Sequence, residues 1–201
     1  AKEPVLDYQH EIRRACVPPV EITSIPMKWN GRLYLGSLSA AVTNSWLRWA
    51  GITHVVCTLG RLNGEKQVTN EWTVAHNARF TEIAYLDWSI NWVRQYVYWR
   101  EVFFMIADAL DDEKNAILVH CVNGKDRSCF VVYAFLRLKY EMEHTAALEC
   151  VHQRMDVEGW PLFNLRHQSP ELVDWVESNV GTATDADSGM QCWQMGQRQV
   201  L

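Results

Sequence analysis

The sequence lacks the cysteine spacings that indicate a metal site or a disulfide framework. Its six cysteines contain no Cys-x-x-Cys pair and no metal-type spacing to a histidine, although structural zinc sites use such spacings. We therefore expect no bound metal, and most of the thiols should be buried as small apolar side chains. The six are Cys16, Cys57, Cys121, Cys129, Cys150 and Cys192.

The chain also lacks a long apolar run and an excess of positive charge. Its longest apolar run, residues 129–136, has eight residues, whereas a membrane-spanning helix needs about 18 or more. Residues 1–4 show neither a secretion signal nor a myristoylation pattern. The net charge of −5 gives no reason to expect binding to nucleic acid. We expect a soluble, cytoplasmic protein with only local anion sites, and its oligomeric state is not predicted.

Apolar and aromatic residues, in contrast, are abundant. Of the 201 residues, 48% are hydrophobic and ten are tryptophan, while only six are proline, which is typical of a compact folded chain. A chain of this length buries most of its unfolded surface around one core. We predict an extended lead-in over residues 1–27, one folded domain over 28–180, and a small polar tail over 181–201 that we expect to be flexible.

Patterns typical of strands and helices alternate along this domain. The β-rich runs are 33–35, 52–58, 79–86 and 116–119. Helical spacing of apolar residues covers 39–49, 93–110, 128–140, 145–155 and a last segment that Ser169 and Pro170 begin. The alternation predicts an α/β fold with a central, mainly parallel sheet of about four to five strands flanked by helices. The wholly apolar run 116–119 is expected to be a central strand.

Two of the predicted helices have a definite apolar face. In 39–49 this face contains Val42, Trp46 and Trp49, and Gly51 is expected to end the helix. In 93–110 the face consists of Val93, Tyr96, Val97, Phe103, Phe104, Ala107 and Leu110.

The predicted central strand leads into a run of residues that indicates a particular chemistry. Residues 116–128 read Ala-Ile-Leu-Val-His-Cys-Val-Asn-Gly-Lys-Asp-Arg-Ser, so a strand ends at a cysteine, five residues form a loop, and an arginine begins a helix. Such a loop points unpaired backbone N–H groups into one concavity, and the helix dipole adds positive potential there. That setting binds phosphate. The predicted phosphate-binding residues are Val122, Asn123, Gly124, Lys125, Asp126 and Arg127.

Four residues of this run have the chemistry of a phosphoryl-transfer site. The planar guanidinium of Arg127 can grip two phosphate oxygens at once, and Gly124 lets the backbone turn with no side chain in the way. A thiol at a helix N-terminus beside a cation is favoured as the nucleophilic thiolate, so Cys121 is the predicted nucleophile. The hydroxyl of Ser128 is placed to hydrogen-bond that sulfur when it acts as the leaving group.

The pattern His-Cys-x-x-Gly-x-x-Arg-Ser, which begins at His120, resembles the signature of cysteine-dependent protein tyrosine phosphatases, especially the dual-specificity branch. The runs 33–41 and 51–56 also resemble the opening strand, helix and second strand of that branch. The resemblance covers roughly residues 28–180. It implies a protein tyrosine phosphatase-like fold and hydrolysis of phosphotyrosine and phosphoserine or phosphothreonine through a cysteinyl-phosphate intermediate, with no cofactor.

The resemblance further implies an aspartic acid that protonates the leaving oxygen and later activates water. Asp87 matches, because it follows the predicted strand 79–86 and lies 34 residues before Cys121. The carboxyl must be protonated in the first step, and we expect burial beside Trp88 or Trp92 to favour that form. Asp111 and Asp112, near the end of the long predicted helix, are alternative candidates.

Three interpretations stay open at this point. His120 is either a core histidine or, as the resemblance implies, a supporting residue that hydrogen-bonds backbone to hold the loop. The pair Lys125-Asp126 resembles phosphatases that act on inositol phosphates or phosphoinositides, and Lys125 is either a contact to a second phosphate or part of an ion pair. The expected partner is a phosphorylated protein, a phosphoinositide is the alternative substrate, and an inactive phosphate-binding adaptor is the second alternative function.

Overall fold

The computed structural model describes residues 20–22, 29–58, 79–82, 96–121, 124, 127–152 and 170–181. Strands and helices alternate within them, as predicted. In chain order the elements are β1 (Val20–Glu21), β2 (Arg32–Ser37), α1 (Leu38–Val42), α2 (Asn44–Ala50), β3 (His54–Cys57), β4 (Arg79–Glu82), α3 (Tyr96–Leu110), β5 (Ala116–Cys121), α4 (Arg127–Tyr140), α5 (His144–His152) and α6 (Pro170–Asn179).

The strands form one sheet in the order β1-β2-β5-β3-β4. Within it β2, β5, β3 and β4 are parallel neighbours, and β1 pairs with β2 in the antiparallel direction. The predicted α/β fold with a mainly parallel sheet is therefore confirmed. Strand β1 comes from the segment predicted as an extended lead-in, so this part of the lead-in belongs to the sheet. The proposed limits of the domain stay a prediction.

Strand β5 lies in the middle of the sheet, between β2 and β3. All six of its residues are buried, which is what a continuous apolar run in a parallel sheet requires. In the register, Ser37 pairs with Cys121, and both Gly36 and Cys57 pair with His120. The carboxyl ends of three parallel strands therefore meet at one edge of the sheet, beside Cys121.

Apolar side chains cover the sheet on both faces, because successive residues of a strand point to opposite sides. One core joins Leu33, Ile117 and Val119 to the buried sides of α3, α4, α5 and α6. The other joins Tyr34 and Leu118 to α1 and α2. Among the described helices, none combines the length and apolar character needed to cross a membrane.

The helix predicted over 39–49 is divided into α1 and α2, so its prediction as one helix is wrong. Thr43 lies between them in an extended conformation, and its hydroxyl donates to the carbonyl of Ser39 at 2.7 Å. Such a side-chain bond competes with helical geometry. After the break, α2 buries Trp46 and leaves Trp49 56% exposed. Gly51 ends α2 in the left-handed conformation, as predicted.

The predicted apolar face of the long helix α3 is wrong at one described position. Phe103, Ala107 and Leu110 are buried as expected, whereas Phe104 is 39% exposed. Its ring lies under the ammonium group of Lys139, 4.1 Å from the ring centroid. This cation–π contact gives the exposed ring a polar partner.

Candidate active site

Cys121 lies where the central strand gives way to the loop that leads into α4. The strand ends at Cys121 and the helix begins at Arg127, as the sequence predicts. The side chain of Cys121 is buried, with 2% exposure. Cys57, Cys129 and Cys150 are also buried thiols, so burial alone does not distinguish Cys121 from them. The hydrogen-bond partners of Cys121 distinguish it from these other thiols.

Two donors point at the sulfur of Cys121. The backbone N–H of Gly124 donates to it at 3.2 Å, and the hydroxyl of Ser128 donates at 3.3 Å. Donors of this kind bind an anion more strongly than a neutral group. The two contacts therefore suit a thiolate nucleophile, and they bring together three residues that the sequence predicts for the site.

The N-terminus of α4 adds positive potential beside this sulfur. The helix has 14 residues, with Arg127 first and the buried Ser128 second. The partial positive charge of a helix is concentrated in its first turn, and Ser128 brings this turn to the sulfur of Cys121. An anion at the site would meet the positive end of this dipole.

Gly124 holds its place because its backbone packs directly on the end of β2. Its φ is +73°, in the left-handed region that glycine adopts at low cost. A Cβ at this position would lie 2.8 Å from the carbonyl oxygen of Gly36 and 3.2 Å from the nitrogen of Ser37. No side chain fits in that space, so the loop requires glycine for both conformation and contact.

His120 precedes Cys121 on β5, and its side chain lies on the opposite face of the strand. Its ring is wholly buried, and its Nδ1 donates to the carbonyl oxygen of Cys121 at 3.3 Å. Burial lowers the pKa of His120 to about 4, against a smaller opposing effect of that hydrogen bond, so the ring is neutral at pH 7. The carbonyl of His120 accepts from the backbone N–H and hydroxyl of Thr58, at 2.9 and 2.8 Å.

Several predicted site residues lie outside the described part of the chain. They are the acid candidate Asp87 and the loop residues Val122, Asn123, Lys125 and Asp126. Their roles stay predictions.

The alternative acids Asp111 and Asp112 belong to a different end of the sheet. They occupy the turn between α3 and β5, where the carbonyl of Asn115 accepts from the backbone N–H of Arg32, the first residue of β2. This turn is at the amino end of β5, and six residues of strand span about 16 Å to Cys121. Both side chains are exposed. Their distance from the sulfur removes them as candidates for the general acid.

Three supporting residues did not follow from the sequence pattern. Gly36 and Thr58 contact the loop and the nucleophile strand from β2 and from the end of β3, and the thiol of Cys129 donates to the carbonyl of Gly124 at 3.3 Å. A glycine inside a strand often marks a close approach of another backbone, so Gly36 carried a weak signal. Thr58 and Cys129 carried none, because their contacts depend on the sheet register and on the position of α4.

The fold and the site are those of an α/β protein with a buried cysteine between the central strand of its sheet and the N-terminus of a helix. No protein-family model matches the chain. Mouse dual specificity protein phosphatase 13B is 32% identical over 139 residues, which are 68% of this chain and 67% of the mouse protein. The chain belongs to the dual specificity protein phosphatase family.

Solved structures of this class share the fold. Human DUSP28 superposes with a TM-score of 0.58 and 19% identity, covering 85% of this chain and 99% of the human chain. The human tyrosine phosphatase-like serine/threonine/tyrosine-interacting protein superposes with a TM-score of 0.55 and 20% identity, covering 73% of this chain and 89% of that chain. At these identities the likeness shows the fold.

Proposed function

We propose that the protein is an active cysteine-dependent phosphatase that hydrolyses phosphotyrosine and phosphoserine or phosphothreonine in proteins. The observation that carries the proposal is the convergence of a loop amide, a serine hydroxyl and a helix N-terminus on the sulfur of Cys121. A protein that only binds phosphate needs donors for the anion. A hydroxyl directed at the sulfur itself stabilises negative charge on that atom, both as the attacking thiolate and when the sulfur becomes a leaving group.

In the first step the Cys121 thiolate forms a bond to phosphorus while the bond from phosphorus to the leaving oxygen breaks. Arg127 and backbone amides of the loop hold the non-bridging oxygens, where charge is spread in the transition state. The leaving oxygen takes a proton from Asp87, the acid predicted from the sequence. The products of this step are the free alcohol or phenol and a phosphorylated cysteine.

In the second step water attacks the phosphorylated cysteine. The Asp87 carboxylate takes a proton from the water, the sulfur–phosphorus bond breaks, and inorganic phosphate leaves. The electron pair of the broken bond returns to the Cys121 sulfur, where the Ser128 hydroxyl, 3.3 Å away, stabilises the developing charge. The cysteine is then ready for another cycle.

The first test of the proposal is hydrolysis of a generic aryl phosphate at mildly acidic pH. We expect turnover by the wild type and a loss of about 1,000-fold or more in Cys121→Ser, because the nucleophile is gone. Binding of tungstate, a phosphate-like oxyanion, should persist in the variant. A wild type as inactive as Cys121→Ser, with tungstate binding intact, would favour the adaptor function.

Removal of the Ser128 hydroxyl tests the two-step route. We expect Ser128→Ala to show a rapid burst of product followed by turnover about ten- to a hundred-fold slower, because loss of a hydrogen bond to a developing charge affects the second step. Pre-steady-state kinetics measure both phases. Ser178→Ala is the matched control, because Ser178 is exposed on α6 and donates to the Asp174 carbonyl. Equal slowing of burst and turnover would contradict the assigned role.

A substrate panel decides between protein and inositol substrates. Phosphopeptides with each of the three phosphorylated residues are compared with phosphoinositide vesicles and soluble inositol phosphates. We expect the highest kcat/KM on phosphopeptides. The pair Lys125-Asp126 motivates the alternative, so Lys125→Ala is measured on both substrate classes. Faster turnover of inositol compounds, lost selectively in Lys125→Ala, would replace the protein substrate in the proposal.

A further inference from the structure

Cys129 is a second buried thiol next to the candidate nucleophile. It is the third residue of α4, its side chain has no exposed surface, and its sulfur donates to the carbonyl oxygen of Gly124 at 3.3 Å. Most buried cysteines act as small apolar side chains. Cys129, however, contacts Gly124, which itself contacts the Cys121 sulfur.

Gly124 is held on three sides by contacts of different kinds. Its N–H points at the Cys121 sulfur, its carbonyl accepts from Cys129, and its α-carbon packs against the carbonyl of Gly36. Glycine by itself visits many backbone conformations. The left-handed φ of +73° and the direction of the N–H are therefore maintained by the neighbours. Of these, Cys129 is the one whose side chain donates to the carbonyl.

We propose that Cys129 is a positioning residue, which holds the Gly124 peptide so that its N–H points at the Cys121 sulfur. The expected effect of Cys129 on turnover rests on the proposed function, whereas its expected effect on the thiol of Cys121 does not. A thiol is a weak hydrogen-bond donor, so the effect is modest. Cys129 acts on the direction of the Gly124 N–H, which points at the reacting sulfur, and small misplacements of groups at a reacting atom lower rates.

Four variants separate positioning from packing. Cys129→Ala removes the donor, and Cys129→Ser restores one in a side chain of similar size. Cys150→Ala and Cys150→Ser make the same changes at a buried cysteine of α5, whose sulfur contacts Met142 at 4.0 Å. Far-UV circular dichroism and the melting temperature are measured first, and all rates are taken well below the lowest melting temperature.

With an aryl phosphate as substrate, we expect Cys129→Ala to lower kcat by about three- to tenfold, with a smaller change in KM. Cys129→Ser should recover most of this loss, because a hydroxyl is a better donor than a thiol. Both Cys150 variants should lower the melting temperature while kcat stays at the wild-type value. A wild-type kcat in Cys129→Ala, or equal losses in the Ala and Ser variants of Cys129, would overturn the proposal.

A second measurement does not depend on turnover. The rate of alkylation of Cys121 by iodoacetamide is followed as a function of pH, by mass spectrometry of the peptide that contains Cys121. We expect the midpoint of this profile to move to higher pH in Cys129→Ala and to return in Cys129→Ser, because the thiolate loses a well-directed N–H donor. An unchanged midpoint in Cys129→Ala would overturn the inference. If the wild type hydrolyses no phosphate ester, the proposed function fails and this profile still decides the role of Cys129.

Discussion

Gly124 shows how the conformation of one residue governs the candidate site. Its positive φ and its contact with Gly36 make room for a loop that points an N–H at the Cys121 sulfur. A side chain here would have two separate effects, since it would strain the backbone and would also collide with β2. The two effects can be separated by experiment.

We predict that Gly124→Ala lowers tungstate affinity about tenfold or more and abolishes most turnover. A left-handed conformation costs a non-glycine residue about 1–2 kcal/mol, and the added Cβ would lie only 2.8 Å from a backbone oxygen, so the loop must move. Isothermal titration with tungstate measures the effect.

Gly181→Ala is the matched control for this prediction. Gly181 also has a positive φ, +80°, but a Cβ there would meet nothing within 4 Å. The control should therefore lose only the stability that corresponds to the added backbone strain, and it should keep the wild-type affinity for tungstate. Wild-type tungstate binding in Gly124→Ala would show that the loop tolerates a side chain and that the close contact with Gly36 does not govern anion binding.

At the scale of elements, a polar network joins three helices on one side of the core. Glu177 of α6 accepts from the Arg137 guanidinium through both carboxylate oxygens and also from the Tyr133 hydroxyl. His144 of α5 lies 3.3 Å from the same carboxylate. Hydrogen bonds from Arg137 lower the pKa of Glu177 to about 2, and Tyr133 and His144 act in the same direction.

This network predicts that Glu177→Gln destabilises the protein by about 1–3 kcal/mol at pH 7. Arg137 and Tyr133 are buried, and a buried charge that loses its partner carries a desolvation cost. Urea denaturation measures the change. Glu149→Gln on α5 is the control, because Glu149 is exposed and such changes usually stay within about 0.5 kcal/mol. Equal effects of the two variants would show that the network contributes nothing specific.

At the scale of the whole molecule, two groups make stability depend on pH in adjacent ranges. The pKa of His120 is lowered from 6.5 to about 4 by burial. The unfolded chain therefore binds a proton that the folded chain excludes, and stability is lost as the pH falls from about 6.5 towards 4. The pKa of Glu177 is lowered from 4.5 to about 2. Its contribution is present above about 4.5 and is lost as the pH falls towards 2.

We therefore predict a fall in the urea midpoint that begins just below neutral pH and continues below about pH 4.5. In His120→Gln the decline between pH 6.5 and 4.5 should be smaller, and in Glu177→Gln the decline below 4.5 should be smaller. A wild-type midpoint that is constant from pH 7 to pH 5 would contradict the assignment of His120 as a buried neutral group.

The features that could be predicted from the sequence are those whose causes are contiguous in the chain. The apolar run before His120, the loop and the arginine at the start of α4 form one segment, so their strand–loop–helix order was predictable from residues 116–128. The end of α2 at Gly51 was predictable for the same reason, because the left-handed cap is a local property of glycine. The alternation of strands and helices also indicated the fold class.

The distant residues that complete the site could not be predicted, because the packing of the folded chain brings them together. The contacts of Gly36 with Gly124 and of Thr58 with His120 depend on the parallel register of β2, β5 and β3, and no local pattern encodes that register. The break at Thr43 and the exposed ring of Phe104 follow from competing hydrogen bonds and from packing between helices. Motif and periodicity are local, whereas burial and close backbone contacts arise only when distant elements pack.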